Sequence, residues 1–199
     1  MKLIYGFLIV VIVVAVAFLA FNIGKGRGST KETSFAISPT PKTVSLTPTP
    51  ADVTKKVTGG GILSFPKYEI TVPAGWIEKK ESENKDSEKV IVTKNDYQIS
   101  ITQGGFGGAA CLYPGEADIE GPSARYDNFK EITTLSDDSL RRSWTGQEMA
   151  SKGFGICHKS QYGWQAPTLY GHIAFITPLS KTKFMLDEMD NILASLKKI

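Results

Sequence analysis

Cys111 and Cys157 are the only cysteines in this 199-residue chain, and two chemistries are open to the pair. In an oxidising compartment they would join, closing a loop of about 45 residues and stabilising the fold by about 2–4 kcal/mol. In a reducing compartment they would remain two buried thiols. The disulfide is the expectation, with the bond pinning the irregular segment 104–125 onto a sheet. A redox-active pair is not expected, since neither a C-x-x-C spacing nor a helix N-terminus is present to lower a thiol pKa. Cys157-His158 has the residue types of a nucleophile and its base, but neighbours on a strand point to opposite faces and do not reach each other. His158 and His172 are the only histidines. With the cysteines they offer at most four zinc ligands, at spacings that match no zinc motif.

GGFGG at 104–108 is followed by neither a helix nor Lys-Ser/Thr, so it lacks the N–H donors of a phosphate cradle and reads as a flexible loop. Asp137-Asp138 and the alternating Glu116, Asp118 and Glu120 lack the fixed Gly and terminal Glu of a calcium loop and read as solvated faces. No catalytic residue, metal site or cofactor is expected. The aromatic residues Trp144, Phe154, Tyr162, Trp164 and Tyr170 cluster, with Tyr162-Gly163-Trp164 in a loop. Loop aromatics combine a large contact area with a polar tip, and so anchor a partner or stack on a sugar. Packing beneath the loop is the alternative. Tyr162 and Trp164 are the candidate partner-binding residues.

The elements that must position these groups begin with short apolar runs closed by Pro and Gly: Ile62 to Phe65, Tyr68 to Val72 and Trp76 to Glu78. The charged stretch Lys79 to Glu88 reads as a solvated loop. Lys89 to Thr93 and Tyr97 to Gln103 form a hairpin around Lys94-Asn95-Asp96, with Ile99 and Ile101 alternating as a half-buried strand requires. Strands are predicted again at Phe129 to Leu135, Leu140 to Thr145, Gly153 to His158 and Thr168 to Thr177. From Lys181, Phe184, Met185, Met189, Ile192, Leu193 and Leu196 recur at helical spacing. Ser180 or Thr182 caps that helix, and Lys197-Lys198 complements its C-terminal end. The fold class expected is α+β, an antiparallel sheet packed against one C-terminal helix.

Three regions precede or form this architecture: an anchor at 1–23, a linker at 24–58 and a domain at 59–199. Leu3 to Ile23 carries no charge and, as a helix, spans about 30 Å, the thickness of a bilayer's hydrocarbon core. A cleaved signal peptide competes with that reading through Ala15-Val16-Ala17, but the apolar run exceeds the usual length of about 7–15 residues. The linker, rich in Thr, Ser and Pro, is a disordered stalk biased to extended conformers, reaching roughly 110 Å at full stretch. Lys25, Arg27 and Lys31 outnumber Lys2 and, by the positive-inside rule, place the domain in the cytoplasm. The stalk and the cysteine pair favour the outside, which is the expectation adopted.

The formal net charge of +3 arises in the first 58 residues, where Lys2, Lys25, Arg27, Lys31, Lys42, Lys55 and Lys56 face only Glu32 and Asp52. The remainder is slightly acidic and excludes nucleic-acid binding as an electrostatic expectation. With 41% hydrophobic and 22% charged residues, a packed core is available.

The segment FPKYEITVPAGW, a strand leading through Pro-x-Gly into Trp, and the closing DEMDNILASLK resemble the two ends of PsbP-like domains, the fold of extrinsic photosystem proteins and of many bacterial domains. The resemblance covers roughly residues 62 to 199. It implies an antiparallel sheet flanked by helices, in a family usually of non-catalytic binding or assembly modules. The Gly-rich, Cys-containing middle departs from the family pattern, so no binding residue is carried over. The function expected is a membrane-anchored, extracytoplasmic, non-enzymatic module with a protein or cell-envelope partner. A membrane-tethered hydrolase or lipid-handling enzyme is the alternative.

Overall fold

A computed structural model describes residues 53–199; the anchor at 3–23 and the linker up to residue 52 lie outside the described residues. Among the described residues no helix is long and apolar enough to cross a membrane.

The first strand, β1 (Lys55–Gly60), begins inside the region expected to be linker, so the folded part begins before Gly59. It pairs antiparallel with β2 (Lys67–Val72), from Lys55 opposite Val72 to Gly60 opposite Lys67. Along β2, Tyr68, Ile70 and Val72 are buried while Lys67, Glu69 and Thr71 lie on the other face, the period-2 alternation of a strand with one covered face. The apolar run Ile62 to Phe65, expected as a strand, is the connection between them. Gly60 and Gly61 take positive φ values of 84° and 88° there, a turn conformation that glycine adopts without strain.

A second sheet is built from β3 (Ile77–Asn84), β4 (Ser87–Lys94), β5 (Tyr97–Gln103), β6 (Ala109–Leu112), β7 (Ser123–Arg125), β8 (Asn128–Thr133), β9 (Ser139–Trp144), β10 (Gly153–Ser160), β11 (Gly163–Ala166) and β12 (His172–Ile176). The order β3-β4-β5-β12-β10 is antiparallel throughout, and β10 also pairs with β9, which pairs with β8. Beyond the β12 contact, the end of β10 turns into the hairpin with β11, which leads on to β6 and β7. The stretch Lys79 to Glu88 is therefore two arms of a hairpin rather than a loop. Lys79 pairs with Glu81 and Lys80 with Glu78, the charged dress of a sheet edge.

The helix, α1 (Lys183–Ala194), is capped by Thr182, whose Oγ1 accepts from Met185 N at 3.3 Å. It buries Met185, Leu186, Met189, Ile192 and Leu193. Those side chains share one core with Tyr68, Ile70 and Val72 and with Val90, Val92, Ile99, Ile101, Ile173 and Phe175 of the large sheet. Lys197-Lys198 does not belong to the helix end; it forms β13 (Lys197–Lys198) beside β2.

The α+β expectation is corrected by this inventory. Thirteen strands stand against a single α-helix and one short 3₁₀ turn among the described residues, which makes the fold β-rich. The physical reason lies in the strands that carry little alternation: β3 is masked by charge, β6, β7 and β11 sit among glycines, and β1 is polar on its open face. Their hydrogen bonds come from neighbours in the sheet, not from local propensity. The helices that the PsbP-like resemblance implies around the sheet are represented among the described residues by α1 alone.

Candidate functional site

Cys111 on β6 and Cys157 on β10 are bonded to each other, and both are buried. With Tyr113 they form a small core separate from the main one, packed against Tyr126, Trp164 and Ala166. The bond ties the glycine-rich middle of the chain to the strand from which the β10–β11 hairpin rises.

That hairpin turns through Gln161 and Tyr162, with Ser160 opposite Gly163. Ser160 Oγ donates to Gly163 O at 3.0 Å and accepts from Tyr162 N at 3.0 Å, while Gly163 takes a φ of 110°. The tight turn lifts Tyr162 into solvent, 86% exposed. Trp164 is held differently. Arg141 lies 3.9 Å over its ring and 3.6 Å over that of Phe129. The Arg141 side chain in turn donates to Glu131 at 2.8 Å from Nη2 and at 3.1 Å from Nε. A stacked guanidinium of this kind fixes the indole plane.

Tyr162 and Trp164 line the same open groove, of about 640 Å³, within the usual range of small-ligand clefts. Its other walls are Phe106 from the GGFGG loop, Ile119 from the β6–β7 connection, Ser64 and Phe65 from the β1–β2 connection, and Pro167 and Leu169. His158 and Gln165, opposite each other on β10 and β11, supply polar groups. Among the residues lining it, none carries a formal charge at neutral pH.

The histidine can be assigned a tautomer from its partners. His158 Nδ1 lies 3.1 Å from Gln165 O, and a carbonyl oxygen only accepts, so Nδ1 holds the proton. Nε2 then accepts from the Gln165 side-chain amide at 3.4 Å. Burial pushes the His158 pKa below its ordinary value, with the bond to Gln165 opposing the shift. The lowered pKa favours the neutral imidazole.

The remaining candidates are dispersed. Cys157 is held by Cys111 and His158 by Gln165, so the adjacent pair forms no nucleophile and base. His172 is exposed beside the Phe106 ring. Asp138 accepts from Tyr170 Oη at 2.5 Å, Glu116 accepts from Tyr113 N at 2.7 Å, and Asp118 pairs with Arg125. Among the described residues no group of three His, Cys, Asp or Glu side chains could hold a metal ion.

The chain matches no protein-family model, no curated protein and no solved structure. The PsbP-like resemblance thus rests on the two short terminal segments alone. The groove is the feature from which a function can be argued.

Sequence reasoning singled out Tyr162 and Trp164, which the groove lining includes, Tyr162 exposed at the hairpin tip and Trp164 half-buried against the Cys111–Cys157 cluster. It missed Phe106, Ile119, His158 and Gln165 as parts of that surface, and it missed Arg141. Arg141-Arg142 did carry a signal. Consecutive residues on a strand face opposite ways, so two adjacent arginines must serve two environments. One meets the aromatic rings, and the other is buried against Asp190 at 2.7 Å.

Proposed function

We propose that this protein is an extracytoplasmic binding module, held at a membrane by residues 3–23 and carried on the Thr/Pro-rich linker. The uncharged groove lined by Tyr162, Trp164 and Phe106 is its binding site, and its role is recognition or assembly rather than catalysis. The observation that carries the reading is an open, uncharged cleft whose lining combines the exposed Tyr162 tip with the neutral polar pair His158 and Gln165. Aromatic anchors next to a few placed polar groups are the usual composition of a recognition site. The Cys111–Cys157 bond supports the outside location, because structural disulfides persist in oxidising compartments. Tethering raises the effective concentration of the domain near its surface, so a weak individual affinity suffices.

The test is retention of the full-length chain, reconstituted in nanodiscs, on immobilised envelope fragments of its own host. Retention is expected for the native chain and is expected to be lost in Tyr162→Ala. Equal retention of the two chains, or none of either, overturns the groove as the binding site.

A further inference from the structure

We propose that the end of the domain carrying Val53, the Pro73-Ala74-Gly75 turn, Leu179 and Phe184 docks on the surface of the lipid bilayer, with those apolar side chains set into its interface. The inference rests on residues 3–23 holding the chain at a membrane and adds a second contact, made by the folded domain itself.

The strands define that end. β1 enters with Lys55 opposite Val72, the last residue of β2. The Pro73-Ala74-Gly75 turn leads from there to β3, whose Ile77 lies opposite Thr93 near the end of β4. Lys94 faces Tyr97 across the β4–β5 turn, and Gln98 faces Ile176 at the end of β12. The start of α1 is fixed to the same place, because Thr182 N donates to Tyr97 Oη at 3.0 Å. Trp76 Nε1 and Lys94 Nζ both donate to Glu188, at 2.6 and 2.8 Å. Phe184 lines one open cleft with Pro73 and Ala74.

Exposed apolar side chains gather here. Val53 is 74% exposed and Phe184 73%, and Leu179 and Ile176 are exposed in the stretch that joins β12 to the helix. Single exposed apolar residues are ordinary, whereas several at one end of a domain mark a contact surface. They stand at the chain entry, in a connection and in the first turn of a helix, as separate tips rather than the walls of a deep pocket. A fluid interface accepts such tips without a matching shape. The carboxylates beside Phe184 are already paired, Asp187 with Lys183 at 2.6 Å and Glu188 with Lys94 at 2.8 Å, so docking desolvates no bare acid there.

The course of the chain selects lipid among the surfaces that an apolar end could meet. The described residues begin at Val53, at this end, and residues 24 to 52 lead back from it to the uncharged run 3–23. A bilayer holding that run stays within reach of this end, and tethering raises its effective concentration so that weak partition of a few side chains suffices. The groove belongs to the other end of the same strands. Ser64 and Phe65 of its lining follow Gly60, which β1 separates from Lys55 by roughly 17 Å at about 3.3 Å per residue. Docking by the Phe184 end therefore leaves the groove open.

The experiment places the full-length chain in phosphatidylcholine nanodiscs and compares tryptophan emission with and without lipid brominated on the acyl chain near the headgroup. Phe184→Trp is expected to lose more emission to brominated lipid than the native chain does, and Tyr162→Trp is not. Adding Leu179→Asp to Phe184→Trp is expected to abolish the extra loss with an unchanged thermal midpoint, since Leu179 is exposed. Extra quenching that survives Leu179→Asp would reflect tethering alone and overturns the docking. Equal quenching of Tyr162→Trp and Phe184→Trp overturns the orientation on which the proposal stands. A blue-shifted Phe184→Trp emission that brominated lipid does not quench means that protein, such as a second copy of the chain, covers this end, and overturns the lipid assignment. Absence of any extra quenching in chains that co-purify with the discs overturns the docking and leaves the anchor standing; failure to co-purify overturns both.

Discussion

The Arg141 guanidinium lies 3.9 Å over the Trp164 indole, joining β9 to the hairpin that forms one wall of the groove. Arg141 also covers Phe129 at 3.6 Å and is 4.6 Å from the Tyr113 ring centre, so three aromatic rings surround a cation supplied by the chain itself. Arg141→Gln is expected to cost about 1–2 kcal/mol in urea denaturation and to shift the Trp164 emission. Arg141→Lys is expected to recover only part of that loss, since an ammonium lacks the planar face that stacks between two rings. Full recovery by lysine would mean that charge alone, not stacking, holds the indole.

The neighbouring Arg142 is buried and its Nε donates to Asp190 Oδ1 on the helix at 2.7 Å. Glu148 is a second acceptor at 2.8 Å from Nη2, and Nη1 has no hydrogen-bond partner among the described residues. Its guanidinium carbon lies 4.7 Å and 5.0 Å from the ring centres of Phe154 and Trp144. Removing one side of a buried pair strands the other charge, so Asp190→Ala should destabilise by about 3–5 kcal/mol, toward the lower end because Glu148 remains. The double variant Arg142→Met with Asp190→Leu should be more stable than Asp190→Ala alone. Chemical denaturation of the three chains checks the order.

Cys111 and Cys157 are 2% and 0% exposed. On intact cells a membrane-impermeant thiol reagent is expected to label neither cysteine until the domain is denatured and reduced. It should then label both before the membrane is permeabilised. Labelling without a reductant, or only after permeabilisation, would place the domain in a reducing compartment. Replacing both cysteines by serine is expected to lower stability by roughly 2–4 kcal/mol, read as a drop in the urea midpoint.

His158 makes the stability of the domain depend on pH in a definite direction. Burial holds its pKa below the ordinary value of about 6.5, so on acidification the unfolded chain takes up a proton before the folded one does. The contribution of His158 is therefore neutral above about pH 6.5 and becomes destabilising as the pH falls toward the lowered value in the fold. His158→Asn, which can still donate toward Gln165 O, should lose less thermal stability than the native chain between about pH 7 and 5. Parallel melting curves across that range would remove this histidine from the account.

Where a strand or helix was legible in the chain, it was through short-range periodicity. Tyr97 to Gln103 alternates, and the apolar residues of α1 recur at three and four, so each element could be read from its own residues. The edge strand β3 could not be, because its side chains are mostly charged and its hydrogen bonds belong to β4. The same holds for β6, β7 and β11, which are three or four residues long and are stabilised by pairing across the sheet.

The amino-acid sequence by itself determined the candidate cysteine partners, since only two exist, the capped amphipathic helix, the β4–β5 hairpin, and Tyr162 and Trp164 as aromatic residues without an obvious place in a periodic core. Tertiary structure alone decided that the domain is β-rich, that β10 serves several neighbours at once, and that residues as far apart as Ser64 and Leu169 line one uncharged groove. The physical reason is range. A side chain's spacing along its own segment encodes which face it presents, whereas a cleft is assembled from segments whose neighbours are chosen by non-local hydrogen bonds and by one covalent bond between Cys111 and Cys157.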